Sequence, residues 1–139
     1  MNAIVIYESL TGNTEKAAGF IGAELNAAGI TTAVCPTTDI NYQALADADL
    51  VVVGSWTDGL FFFGQRPAKE GRLAQLPFMN GKKSAVFCTY ALDTGKTLQK
   101  MENIMRDRGA DVVGGYAIKR NKLDEGSREF VDRLLAVVH

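Results

Sequence analysis

Short apolar runs alternate with helical patterns five times along this chain, and that alternation limits its fold more than any other feature. Ala3-Ile4-Val5-Ile6-Tyr7, Thr31-Thr32-Ala33-Val34-Cys35, Leu50-Val51-Val52-Val53 and Lys83-Ser84-Ala85-Val86-Phe87-Cys88 have the length and composition of strands. Asp111 to Ile118 gives the fifth, interrupted by Gly114-Gly115. Leu50 to Val53 is apolar at every position, as in a strand buried on both faces of a parallel sheet. Helical patterns cover Glu15 to Ala28, Gly95 to Arg108 and about Glu125 to Val138, with Gly29 and Gly109 as stops. The last helix carries Phe130, Leu134, Val137 and Val138 on one stripe. Asn41 to Ala48 is long enough for one or two turns, and Pro67 opens a further helix that runs to about Leu76 and stops at Pro77. Strands separated by helices need right-handed crossovers, which give a mostly parallel sheet covered on both faces. At 139 residues the whole chain, 1–139, is expected to be a single domain with a full core.

The first crossover contains the chain's most chemical segment. Ser9-Leu10-Thr11-Gly12-Asn13-Thr14 ends the first strand and opens the first helix, whose leading N–H groups have no partners within the helix. Those donors and the positive end of the helix dipole favour a phosphate. Ser9, Thr11, Asn13 and Thr14 add side-chain donors, and Gly12 lets the backbone come close. A capping turn of the same composition binds nothing in many proteins. What favours a ligand is position, because α/β sheets bind theirs outside the carboxyl ends of the strands.

Composition narrows the chemistry. A formal net charge of -1 without a basic arm argues against nucleic acid as a partner. The start of the chain lacks a basic secretory n-region and no apolar run approaches a membrane span, so the cytoplasm is the expected location. Cys35 and Cys88 sit in apolar runs without metal-ligand spacing, and the single histidine, His139, is the last residue. A Ser-His-Asp or Cys-His arrangement therefore has no base. Other α/β sites fail on residues. Only Gly12 stands where a dinucleotide fold needs Gly-x-Gly-x-x-Gly, and Gly95-Lys96-Thr97 lacks the first glycine of a Walker A loop, having Tyr90 there. A receiver domain needs an aspartate where the third strand ends Val53-Gly54-Ser55, and a Cys-x5-Arg phosphatase loop needs a cysteine before Cys35.

The segment from Ser9 to Thr14 fills every position of Thr/Ser-x-Thr-Gly-x-Thr and so resembles the loop with which flavodoxins wrap the terminal phosphate of flavin mononucleotide (FMN). The resemblance spans essentially the whole chain. It implies a flavodoxin-like three-layer sandwich with a five-stranded parallel sheet in the order 2-1-3-4-5, and FMN at the switch point beyond strands one and three. In that order the strands carrying Cys35 and Cys88 lie three steps apart, roughly 14 Å, too far for a disulfide. It also implies that Ser9, Leu10, Thr11, Gly12, Asn13 and Thr14 hold the phosphate, while Ser55, Trp56, Thr57, Asp58 and Gly59, with Thr89, Tyr90, Ala91 and Asp93, flank the flavin ring. The family's Thr-Trp-Gly motif falls on Thr57-Asp58-Gly59, with the tryptophan displaced to Trp56, so Trp56, Phe61 and Tyr90 are all candidates for stacking. Gly59 makes rotation of the preceding peptide towards flavin N5 cheap. Phe61-Phe62-Phe63 reads as a hydrophobic plug, or as a lid or partner surface.

By the same resemblance no residue is catalytic. The implied role is an electron carrier between an NAD(P)H-dependent or ferredoxin-type reductase and a downstream redox protein. Two alternatives stay open: a flavodoxin-fold oxidoreductase, such as a quinone reductase or protoporphyrinogen-type dehydrogenase, and a flavodoxin-like module that has lost its flavin. Flavodoxins serving ferredoxin partners tend to be strongly acidic, whereas this chain is nearly neutral.

Overall fold

The alternation folds as β1 (Asn2–Tyr7), α1 (Asn13–Ala27), β2 (Thr31–Pro36), α2 (Tyr42–Asp47), β3 (Leu50–Trp56), β4 (Lys83–Tyr90), α3 (Thr97–Asp107), β5 (Asp111–Lys119) and α4 (Leu123–Val138). This is a computed structural model, and it describes residues 1–9, 12–57 and 72–138. The strands pair in parallel in the order β2-β1-β3-β4-β5, as the resemblance implies. Residues 72–74 form a helical turn, while 67–71 of the helix expected from Pro67 lie outside the described residues.

The period-two pattern of the strands divides the core between the two faces. Ala3, Val5, Leu50, Val52, Ala85 and Phe87 face α1 and α4, where Ala17, Ile21, Leu25, Phe130, Val131 and Leu134 meet them. Ile4, Ile6, Val51, Val53, Val86 and Cys88 face Leu45 of α2, Met101 and Met105 of α3, and Leu73 and Met79. Three layers result, and all five strand ends point their loops to one edge.

Several boundaries differ from the sequence expectation. Ser55 and Trp56 extend β3, and Thr89 and Tyr90 extend β4, because ladder partners carry the sheet on after the apolar run ends: Ser55 pairs with Cys88, Trp56 with Thr89, and Tyr90 with Lys119. α1 starts at Asn13 and α4 at Leu123, each two residues early, and α3 starts at Thr97 with Lys96 as its N-cap. β5 is continuous through Gly114-Gly115. Its register slips instead, Ser84 pairing with Val112 and Ala85 with Gly114, so that Val113 is left over as a bulge. Val137 is 54% exposed, since the buried arc of α4 centres on Val131, Leu134 and Val138 and Val137 falls at its margin.

Cys35 and Cys88 are buried free thiols on β2 and β4, with β1 and β3 between them. Burial pushes the Cys88 thiol up to about 12, against a hydrogen bond with Thr57 that lowers it. An unfolded thiol ionises near pH 8.5. The folded pKa being the higher, the stabilisation is fully present below about pH 8.5 and is lost as pH rises towards the folded value. Cys88→Ala is therefore expected to flatten the decline of unfolding free energy above pH 9, whatever its effect at neutral pH. Denaturant titrations across that range check this, and parallel alkaline slopes would refute it.

Candidate functional site

The strand order sets the carboxyl ends of β1, β3 and β4 side by side, and the segments that follow them form the candidate site. After β1, the Gly12 N–H donates to Ser9 Oγ at 3.0 Å, folding the turn back on itself. Gly12 is the N-cap of α1 with φ 94, a left-handed conformation that glycine adopts without a Cβ penalty. It has no side chain with which to cap the first turn. The helix thus begins without the usual Ser, Thr or Asp oxygen at its N-cap, which suits an anion supplied by a ligand. Leu10 and Thr11 lie outside the described residues.

A polar cavity of about 360 Å³ adjoins this turn, with Ser9, Gly12, Glu15, Thr37 and Thr38 in its walls. The Tyr7 hydroxyl donates to Glu15 Oε1 at 2.9 Å beside it, and burial together with that carboxylate raises the Tyr7 pKa. Glu8 is 4% exposed and accepts from Arg72 at 2.6 Å through Oε1, while its Oε2 has no hydrogen-bond partner. A buried carboxylate beside a phosphate site would oppose the ligand, and the Arg72 guanidinium offsets that charge. Glycine, hydroxyls, an open helix terminus and a neutralised acid together fit a phosphate ester.

Thr14 makes a contact that sequence reasoning did not foresee. Its side chain is buried, and Oγ1 lies 2.9 Å from Thr89 Oγ1 at the end of β4. The Thr57 hydroxyl, just beyond β3, donates to the Thr89 carbonyl at 3.0 Å. Thr89 therefore ties the segments after β1 and β3 to the end of β4. Thr14→Val should strand the buried Thr89 hydroxyl and lower the stability of the apo-protein by about 1–3 kcal/mol, with Thr14→Ser recovering most of it. Urea unfolding of the three proteins tests this, and a Val variant as stable as wild type would sink it.

The remaining expected ring-binding residues divide by position. Ser55 is buried within β3, Trp56 and Thr57 are half-buried at its end, and Asp58 and Gly59 lie outside the described residues, as do Phe61, Phe62 and Phe63. Tyr90 and Ala91 are half-buried. Asp93 is exposed and accepts from the Gly95 N–H at 3.2 Å, so its carboxylate shapes the loop's own turn. Asn13 is the first residue of α1. Sequence reasoning missed Glu8 and Arg72. An acid immediately before the hydroxyl-rich turn was a visible signal, but nothing in the sequence links it to an arginine 64 positions away.

The chain is 27% identical to a flavodoxin of Clostridium beijerinckii over 135 residues, covering 92% of this chain and 93% of that protein. It is 28% identical to a flavodoxin of Megasphaera elsdenii over 110 residues, 79% of this chain and 80% of the other. Oxidised flavodoxin 1 from Bacillus cereus matches the fold with a TM-score of 0.73 over 100% of both chains at 19% identity. A family model described as a flavodoxin domain matches residues 4–136. Since that match takes in all but the first two residues of β1, the other four strands whole and nearly all of the last helix, the chain belongs to the flavodoxin family, whose cofactor is FMN.

Proposed function

We propose that this chain holds FMN across the carboxyl edge of its sheet and carries electrons between an NAD(P)H-dependent or ferredoxin-type reductase and a downstream redox protein in the cytoplasm. The observation that carries the reading is the glycine N-cap of α1 beside a polar cavity, tied through Thr14 and Thr89 to the ends of β3 and β4. Residues 1–139 act as one domain in this reading, which is supported by helices packed on both faces of one sheet.

Ser9, Leu10, Thr11, Gly12, Asn13 and Thr14 would hold the phosphate with N–H and O–H donors. Either hydroxyl of the Thr14–Thr89 pair can donate, and with Thr89 as donor the Thr14 O–H would be left for a phosphate oxygen. Ser55, Trp56, Thr57, Asp58 and Gly59, with Thr89, Tyr90, Ala91 and Asp93, would hold the flavin ring. Their backbone groups would supply hydrogen bonds to its polar edge, and their apolar surfaces would exclude water. When bound, the flavin supplies the redox chemistry, and no side chain makes or breaks a bond. Among the described residues no helix is long and apolar enough to cross a membrane.

The test is direct. Protein purified from cells, or reconstituted with FMN, should be yellow and release FMN on denaturation. A colourless protein that takes up no flavin would overturn the proposal, and sustained quinone reduction with NAD(P)H would replace the carrier with an enzyme.

A further inference from the structure

Charges on the carboxyl edge of the sheet are sorted by strand. Among the described residues, Glu15 and Asp39 stand beyond β1 and β2 with Lys16 beside them and Glu8 paired to Arg72, whereas β5 ends in Lys119, followed by Arg120 and Lys122, all three exposed. The acids nearest the β5 end are largely engaged with cations of their own helix: Asp124 lies 3.8 Å from Arg128, and Glu129 lies 2.8 Å from Arg133 and accepts from Tyr116. Glu125 and Asp93 are the other acids there, and Lys96 adds a cation. That end keeps a surplus of positive charge.

The basic segment is stitched to the loop after β4, because the Arg120 N–H donates to the Tyr90 carbonyl at 2.9 Å. At the tip of that loop Leu92 is 95% exposed, so no packing within the chain accounts for an apolar residue there. Between the loop and the start of α4 is a cavity of about 380 Å³, with Tyr90, Tyr116, Lys119, Lys122, Glu125 and Glu129 among its walls. An exposed apolar anchor and a run of exposed cations therefore share one end of the edge.

We propose that this end is a docking surface for an acidic redox protein. Leu92 packs against an apolar patch at the centre of the contact, and the partner's Asp and Glu side chains meet Lys119, Arg120 and Lys122. The sorted charge gives the edge a direction, which steers a partner of one sign and fixes its orientation. That the partner is a redox protein rests on the proposed FMN site; the surface itself does not.

The test titrates nitrogen-15-labelled, FMN-loaded protein at low ionic strength with an acidic [2Fe–2S] ferredoxin and, separately, with a basic cytochrome c. The ferredoxin is expected to shift or broaden the amides of Leu92 and of residues 119–122. High salt and the charge reversals K119E, R120E and K122E combined should each weaken it about tenfold or more, with K119Q, R120Q and K122Q combined falling between. Leu92→Ala should weaken it with little change in salt dependence. Preference for the cytochrome, shifts confined to Glu15 and Asp39, or unchanged affinity in the charge-reversed protein would overturn the proposal. FMN affinity, measured in parallel, should be the same in all variants. A wild type that binds no FMN refutes the functional reading, and the same titration on apo-protein still judges the surface.

Discussion

Riboflavin is expected to bind the apo-protein roughly a hundredfold to ten-thousandfold more weakly than FMN. The two ligands share a ring system and differ in the terminal phosphate, so the difference isolates the turn between β1 and α1. Each charge-assisted hydrogen bond to a phosphate oxygen contributes about 1.5–3 kcal/mol, and loss of two spans that range of affinity. The structural basis is Gly12 at the head of α1, with Ser9 Oγ holding its N–H and hydroxyl-lined space beside it. Fluorescence titration of apo-protein with each flavin decides the matter: equal dissociation constants would remove the phosphate from the site.

The second large effect lies in the core beneath the site. Gly54 on β3 pairs with Phe87 on β4, and a Cβ at Gly54 would stand 2.0 Å from Phe87 Cζ. The ring is wholly buried and packs against Phe130 at 6.0 Å between centroids, so it cannot retreat. Gly54→Ala should cost about 3 kcal/mol, at the upper end for overpacking. Phe87→Ala, which empties the same space, should cost about 3–5 kcal/mol. Phe87→Leu should rescue Gly54→Ala, giving a favourable coupling between the two sites in urea denaturation. Strict additivity would show that the ring does not fill the room over Gly54. Because the Gly54 carbonyl accepts the Glu8 N–H at 2.9 Å, Gly54→Ala should also weaken FMN binding.

What the sequence discloses depends on how local the cause is. The runs Ile4 to Ile6 and Val51 to Val53 declare themselves because burial on both faces requires apolar side chains at every position. The turn from Ser9 to Thr14 is equally legible, since a helix N-terminus is built by adjacent residues. Strand ends are harder to read. Ser55, Trp56, Thr89 and Tyr90 look like loop residues in composition, yet each has a ladder partner on another strand. Side-chain pairings across the edge are harder still: Thr14 meets Thr89 from 75 positions away, and Glu8 meets Arg72 from 64. Periodicity reports which face a residue takes, and carries nothing about which residue of another loop stands opposite.

The shared threonine has a thermodynamic corollary. Thr89 is held through its hydroxyl by Thr14, on the side proposed for the phosphate, and through its carbonyl by Thr57, on the side proposed for the ring. A ligand fragment that settles either contact sets the geometry the other fragment needs, so the two halves of the flavin nucleotide are not independent visitors. Offered separately, inorganic phosphate and riboflavin should help one another to bind, each raising the other's affinity by the same factor, as linkage requires.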